Sequence, residues 1–396
     1  MIETLALPSH TGEDPTVEQS SLPARVRDVI EVLPKVVRTD ALVVHPSDQI
    51  IFQYFEGATW HVDQTTEGTR HRGGRYEIEE IVDGKGGTSF VYKAHDRITN
   101  QTFAIKELKP QYAKDPDKVA LFRQEAAVHL SMRHEKIVPA YDYFEHEGRC
   151  FLVMNFVESP TIKKLIKDKQ LTFDDSIDII TQFISASEYY LNKGIIVTDI
   201  KPANAFYVNK QLLMFDFGII EKLHDTQTQT ESSGTLSYMT PEQLKGLPVG
   251  VDAIPYYHGV LLYEMLTGVR MLERTTPDGD TDIIRTVSTI KERNYDPDRM
   301  IALQNVLRKL YETNGLEYTT ITDETLWRRS KDEQFLKDNL HPFIYMLFKA
   351  TSTHNELRYQ DLEHFKKDFA EGVEALKKPW VVTIPAPAAP STIVIY

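Results

Sequence analysis

Four side chains near the middle of the chain carry the groups that phosphoryl transfer requires. Asp199, Lys201 and Asn204 lie in Val197-Thr198-Asp199-Ile200-Lys201-Pro202-Ala203-Asn204, and Asp216 follows in Met214-Phe215-Asp216-Phe217-Gly218. A carboxylate can accept or orient the proton of an attacking hydroxyl, and an ammonium can lie against the transferring group. An amide oxygen with a second carboxylate makes a hard-oxygen pair of the kind that suits magnesium. Taken alone, Asp-Phe-Gly is a common triplet. In register with Asp-x-Lys-x-x-Asn it is a specific signal.

A second group of residues upstream suits a polyphosphate. Gly84-Lys85-Gly86-Gly87-Thr88-Ser89-Phe90-Val91 lies between two strand-like runs. Glycines there let the backbone turn tightly and bring N–H groups close to phosphate oxygens. Isolated, such a run is usually an ordinary turn. Here Val91-Tyr92-Lys93-Ala94 and Phe103-Ala104-Ile105-Lys106 continue it as strands, and a helical stretch then carries Glu125. A lysine near phosphate must stay charged and aimed, and a carboxylate partner does both. Either residue alone would read as a solvated surface charge; in this order they read as a pair.

These motifs resemble, in order, those of the eukaryotic-like (Hanks-type) Ser/Thr protein kinases, across residues 76–370. The resemblance implies an α+β, bilobal protein kinase fold with a β-rich N-lobe and an α-helical C-lobe. It implies ATP and Mg2+ as cofactors and protein substrates bearing Ser or Thr. Asp199 and Lys201 take the catalytic roles, and Asn204 and Asp216 hold the metal. Gly84, Gly86, Gly87, Ser89, Val91, Ala104, Lys106, Glu125, Met154, Asn155 and Val157 surround the nucleotide. Backbone groups near Asn155 and Val157 would meet the adenine edge, with Met154 at the back. Lysine at position 201 is the Ser/Thr form of the loop. Glu242, in Met239-Thr240-Pro241-Glu242, would pair with a buried Arg358.

The departures from the family pattern are specific. Ser89 stands where a third glycine belongs, which implies a stiffer or more open phosphate lid, not a lost one. Val197-Thr198 replaces His-Arg, so the loop is of the non-RD kind. The aspartate expected twelve residues after Glu242 is Ile254, with Asp252 two positions early. A contact between Val197 and Ile254 would replace a polar network by an apolar one, an exchange that can be neutral. Without an arginine at 198, phosphorylation of the loop bearing Thr226, Thr228, Thr230, Ser232 and Ser233 should accompany autophosphorylation rather than switch activity. His129, one turn after Glu125, reads as a packed core histidine. The loop style is closest to bacterial or bacteriophage members. The alternatives are a pseudokinase scaffold or nucleotide sensor, motivated by these departures, and a small-molecule phosphotransferase, which the Glu242–Arg358 pairing disfavours.

The elements that must position these groups follow from composition and pattern. The 396 residues are 41% hydrophobic and 26% charged, enough for two lobes with cores. The net charge of −13 disfavours nucleic acid, and one cysteine, Cys150, forbids an intrachain disulfide. No run reaches the roughly 20 apolar residues that span a bilayer, so no membrane association and a cytoplasmic location are expected. Residues 1–22 read as disordered, and 23–75 as an extension packing on or regulating the N-lobe. Residues 76–157 read as the N-lobe, 158–378 as the C-lobe and 379–396 as a flexible tail. The pattern predicts a helix near 116–132 and another capped by Thr172, with Asp174 and Asp175 in its first turn and Gly194 just past its end. Between Gly268 and His341 the chain is longer than the family needs, with a helix over Arg299–Glu312.

Overall fold

A computed structural model describes residues 75–83, 87–146, 148–217, 236–271, 297–322, 324–325 and 332–382. The expected disordered start and extension (1–74), Gly84, Gly86, Gly218, the loop acceptors Thr226 to Ser233 and much of the 270–340 segment lie outside the described residues.

The N-terminal half is a sheet of five antiparallel strands: β1 (Tyr76–Asp83), β2 (Ser89–Asp96), β3 (Gln101–Leu108), β4 (Ala140–His146) and β5 (Arg149–Asn155), in spatial order β1-β2-β3-β5-β4. Alternation assigns the faces. On β3, Ala104 and Leu108 join Leu152 and Met154 of β5 in a core against helix α1 (Pro116–Ser131), where Phe122 and Ala126 meet them. The intervening Phe103 and Ile105 join Tyr76, Tyr92, Phe151 and Val153 in a second cluster on the other face. Cys150 is buried in β5. Helix α1 starts where the sequence lets it: Asp115 caps it by accepting from the Asp117 N–H at 3.0 Å, and Pro116 supplies a first position that needs no N–H partner.

The C-terminal half is helical. It runs through α2 (Ile162–Lys167), α3 (Phe173–Asn192), a 3-10 turn (Pro202–Asn204), the hairpin β6 (Ala205–Val208) and β7 (Gln211–Met214), then α4 (Pro241–Leu244) and α5 (Ala253–Thr267). There follow α6 (Pro297–Thr313), α7 (Glu333–Asn339), α8 (Pro342–Ala350) and α9 (Leu362–Ala375). Helix α3 has the Thr172 cap that the sequence promised, and the structure extends it to a capping box. The Asp175 N–H donates to Thr172 Oγ1 at 3.1 Å, and the Thr172 N–H returns to Asp175 Oδ2 at 3.0 Å. Gly194 follows its end with φ 73°, which a side chain would resist. Helix α5 is apolar on every side and is the central post of this half, with Ile254, Tyr256, Leu261 and Leu262 at most 0% exposed. Position 259 must be glycine, because a Cβ there would stand 2.7 Å from Thr351 Cγ2. Trp380, which the sequence places in the tail, instead bonds back onto the segment after α6: its N–H meets the Glu317 carbonyl at 2.9 Å, and its own carbonyl takes the Thr319 N–H at 2.7 Å.

Arg358 pins the distant ends of this half together. Its guanidinium is fully buried, with Nη2 2.5 Å from Glu242 Oε1 and 3.6 Å from Asp252 Oδ2, and its plane lies over the Tyr256 ring at 5.3 Å. No guanidinium nitrogen has an oriented hydrogen bond, so the attraction is chiefly coulombic. Removing one partner of such a pair strands the other charge. Arg358→Met should therefore lower unfolding free energy by about 3 kcal/mol, measured by urea denaturation, and Arg358→Met with Glu242→Gln should recover part of that loss.

Buried histidines give the fold an acid limit. Burial pushes His258 down to about 3 and His129 down to about 4 from the ordinary 6.5. His258 Nε2 sits 3.1 Å from Ser187 Oγ, which also meets the Tyr190 hydroxyl at 2.6 Å. Both imidazoles are neutral in the folded chain, whereas the unfolded chain takes up their protons below pH 6.5. Their stabilisation is thus complete above that pH and is lost as pH falls towards 4, by about 1.4 kcal/mol per pH unit for each histidine. His258→Gln should show a shallower loss of stability between pH 6.5 and 4 than the unaltered chain, measured by denaturation at each pH.

Candidate active site

The site lies where the two halves meet, and Lys106 is its centre. The side chain leaves β3, and its Nζ lies 2.6 Å from Glu125 Oε1 of α1. It also contacts Asp216 Oδ1. Lys106 and Glu125 are 9% and 18% exposed, while Asp216 is 35% exposed and so open to a ligand. Burial opposes the charge on Lys106, but the Asp216 and Glu125 carboxylates outweigh it and hold the ammonium protonated. Two carboxyl groups share that one cation. Burial pushes Glu125 above the usual carboxylate range, with Lys106 opposing, whereas the Lys106 charge overcomes burial at Asp216 and holds that carboxyl well below its usual range. Asp216 is the member that stays ionised and reachable.

Asp216 also has φ 62°, a left-handed backbone that aspartate tolerates better than most residues. Such a conformation persists when the surroundings hold it. The holding groups are visible. Phe215 N–H donates to the Asn204 carbonyl at 3.0 Å, Met214 and the 136–138 segment exchange backbone bonds, and Phe217 is buried.

The turn that bears Asp199 follows from its sequence. Pro202 opens the 3-10 turn, which folds Asn204 back over Asp199. The Asn204 amide nitrogen donates to the Asp199 carbonyl at 3.0 Å and to Asp199 Oδ2 at 2.9 Å, and reaches the Asp216 carbonyl at 3.4 Å. Lys201 Nζ lies 2.7 Å from Asp199 Oδ2. Glu125, Lys106, Asp216, Asn204, Asp199 and Lys201 therefore form one connected set drawn from four chain segments. The fit to magnesium rests on the donor chemistry. With its nitrogen committed to Asp199, Asn204 has its side-chain amide oxygen to offer together with the Asp216 carboxylate. Two hard oxygens, completed by phosphate and water, suit Mg2+. Among the described residues no cluster of three or more His, Cys, Asp or Glu side chains could hold a metal unaided.

The structure brings together part of the set expected around a nucleotide. Val91, Ala104, Met154 and Val157 belong to one apolar cluster. The Asn155 N–H is committed to the Pro139 carbonyl at 2.8 Å, and the Val157 carbonyl takes the Ser159 N–H at 3.0 Å. The Val157 N–H is taken by nothing among the described residues. Phe206 and Leu213 join the same cluster, Phe206 stacking on Phe215 at 4.5 Å. Sequence reasoning passed them over, although the two apolar runs 205–208 and 212–215 between Asn204 and Asp216 were a usable signal. Gly87 has φ 65°, and its carbonyl accepts from Lys109 Nζ at 2.9 Å, which ties the end of the glycine-rich run to the end of β3. The Ser89 hydroxyl is buried and unbonded. Val197 and Ile254 are 2% and 0% exposed in one core, and the displaced Asp252 faces Arg358 instead.

Replacing Lys106 by Met leaves Glu125 free to take a proton, so the fold should survive. The nucleotide would lose its cation. Mg-ATP should raise the melting temperature of the unaltered chain and leave that of Lys106→Met nearly unmoved, measured by thermal shift over a nucleotide titration.

Comparison with known proteins agrees with this geometry. A profile for the protein kinase domain matches residues 76–321. The probable serine/threonine-protein kinase CA_C1728 of Clostridium acetobutylicum is 32% identical over 247 residues, 60% of this chain and 37% of that protein. The probable serine/threonine-protein kinase SCO3848 of Streptomyces coelicolor is 37% identical over 211 residues, 51% of this chain and 31% of that protein. PrkC of Bacillus subtilis, a serine/threonine-protein kinase, is 31% identical over 245 residues, 60% of this chain and 37% of that protein. The chain thus spans about a third of the length of these curated relatives. Among solved structures, the kinase domain of Mycobacterium tuberculosis PknI aligns with TM-score 0.49 and 19% identity, over 75% of this chain and 96% of that one. No helix among the described residues is long and apolar enough to cross a membrane. The ordered motifs, the shared lysine and the matched span make the chain a member of the protein kinase family.

Proposed function

We propose that this chain transfers the γ-phosphoryl group of ATP to Ser or Thr side chains of protein substrates, with magnesium as cofactor. The observation that carries the reading is the continuous set from Glu125 through Lys106, Asp216 and Asn204 to Asp199 and Lys201. It supplies a phosphate-binding cation, two metal-binding oxygens and a carboxylate in one cleft. The relatives named as serine/threonine-protein kinases support the same reading.

Each residue has a distinct task in this account. Lys106 binds the α- and β-phosphates, held charged by two carboxylates. Asp199 accepts a hydrogen bond from the substrate hydroxyl, orients its lone pair towards phosphorus and takes up its proton as the new bond forms. Lys201 sits beside Asp199 and offsets negative charge on the transferring group. Asn204 both fixes Asp199 and, with Asp216, offers oxygens to the metal. Magnesium, when bound, neutralises charge on the phosphates. The apolar cluster around Met154 and Val157 excludes water from the base, and the Val157 N–H is available to its edge.

Protein substrates, rather than small molecules, are supported by the Arg358–Glu242 pair. It braces the Thr240-Pro241-Glu242 segment, where Thr240 caps α4 by accepting from Gln243 N–H at 3.2 Å. Thr198, in place of an arginine, offers no cation for a phosphorylated loop, which supports activity without loop phosphorylation. Magnesium, a cytoplasmic setting and a bacterial or bacteriophage origin belong to this proposal.

The test is transfer from labelled ATP with magnesium to a mixture of Ser/Thr proteins, beside Asp199→Asn. The unaltered chain should label protein, and Asp199→Asn should lower kcat by about 10²- to 10⁴-fold with KM for ATP little changed. Nucleotide binding with no transfer by the unaltered chain would overturn the proposal in favour of a sensor or scaffold.

A further inference from the structure

Lys109 stands where the glycine-rich run returns to the sheet, and all three of its polar groups are committed there. Antiparallel pairing of β2 with β3 begins at Ser89 and Leu108, and Val91 faces Lys106 across the same ladder. One residue beyond that start, the Lys109 N–H donates to the Thr88 carbonyl at 2.9 Å. The reciprocal bond of an antiparallel pair is not made. The Lys109 carbonyl is taken instead by the Tyr112 and Ala113 N–H groups, at 2.9 and 3.0 Å, and the Thr88 N–H is left without a partner among the described residues. The ammonium meets the preceding peptide: Lys109 Nζ donates to the Gly87 carbonyl at 2.9 Å and lies 5.3 Å from the centroid of the Phe90 ring. The residue is only 8% exposed, so the cation is largely removed from water and its contacts are strong ones.

The Gly87 carbonyl and the Thr88 N–H belong to one trans peptide, whose two polar groups point in opposite directions. Gly87, at φ 65°, permits more than one orientation of that peptide, and the ammonium selects one. With the carbonyl fixed on Lys109, the N–H is turned away from it. An unpaired backbone donor so aimed is a group that binds anions. We infer that Lys109 is a positioning residue for the polyphosphate: it holds the Gly87–Thr88 peptide so that the Thr88 N–H is presented to a phosphate oxygen of the nucleotide. The inference rests on the nucleotide-binding part of the proposed function and not on the transfer step.

The test compares the full chain with Lys109→Met, which keeps an unbranched apolar stem on Phe90, and Lys109→Arg, which restores a cationic donor. Should the methionine variant not fold, Lys109→Leu replaces it. The first readout is binding, with Mg-ATP set beside adenosine in calorimetric titrations. The apolar variant should bind Mg-ATP about tenfold more weakly, the scale of one hydrogen bond to a charged group, and adenosine as the unaltered chain does. Lys109→Arg should recover most of the Mg-ATP affinity. The second readout needs no ligand: hydrogen exchange of the 88–91 amides should speed up in the apolar variant and return towards the unaltered rate in Lys109→Arg. A lysine that acted only as a distant charge would leave that exchange unmoved. With a protein substrate, KM for ATP should rise about tenfold in the apolar variant while kcat stays put. Unchanged exchange or unchanged Mg-ATP affinity in the apolar variant overturns the inference. So does an equal loss of ATP and adenosine, or an arginine variant as impaired as the apolar one. If the unaltered chain binds Mg-ATP and transfers no phosphate, the transferase reading falls, and binding and exchange still decide the role of Lys109.

Discussion

One ammonium shared between two carboxylates is the constraint on which the rest of this structure turns. Lys106, Glu125 and Asp216 come from a strand, a helix and the segment after a hairpin. An unpaired charge at such depth would be strongly unfavourable. The cluster therefore forms only when sheet, helix and hairpin are all in place. The sheet's alternation points Lys106 to the α1 side, along with Ala104 and Leu108. The capped start of α1 fixes the phase that brings Glu125 to it. The backbone bonds of Met214 and Phe215 set the turn at Asp216. Because two acids compete for one base, the cluster divides them: the more enclosed Glu125 is the easier to protonate, and the more open Asp216 stays ionised.

The chemistry was the most legible part of the sequence, because it depends on residue type and spacing. Asp199, Lys201 and Asn204 are close in the chain and a proline-led turn brings them together, whereas Asp216 also needs the β6–β7 hairpin and the backbone bonds of Met214 to the 136–138 segment. Local signals also fixed α3, since Thr172, Asp175 and Gly194 act within a few residues of the helix ends. The Lys106–Glu125 and Glu242–Arg358 pairs join residues far apart. Their legibility came from motif order, not from any local physical rule. What the sequence did not disclose was how single groups are committed. Nothing in Asn155 announces that its N–H is used by Pro139, and nothing in Phe206 or Leu213 announces a place beside Met154, because both depend on how the hairpin lies against the sheet.

The displaced aspartate shows how a two-residue shift redistributes charge. Asp252 stands just before α5, where its carboxylate faces Arg358, and Ile254 turns the next position inward to a fully buried site. Val197 on the catalytic loop is equally apolar and equally buried. The position behind the loop therefore carries no charge, and Asp252 adds one to the arginine's surroundings. Burial raises that carboxyl, and Arg358 pulls it back. The loop keeps its position by other means: Pro202 shapes it, Asn204 ties it to Asp216, and the Gln243 amide nitrogen reaches the Thr198 carbonyl at 3.5 Å.

The Gln243 contact gives that argument a further step. Its Oε1 accepts from the Thr240 N–H and from the Tyr257 hydroxyl, each at 2.8 Å, so its nitrogen can only point away from both. The side chain is thus oriented by the α4 cap and by α5 before it meets the loop. A long bond from a well-held donor defines direction more than it adds energy. The Thr240–Gln243 segment and the turn that bears Asp199 are consequently referred to the same post, α5. The apolar core behind the loop, with Val197 and Ile254 in it, is thus accompanied by a polar restraint that arrives from the side.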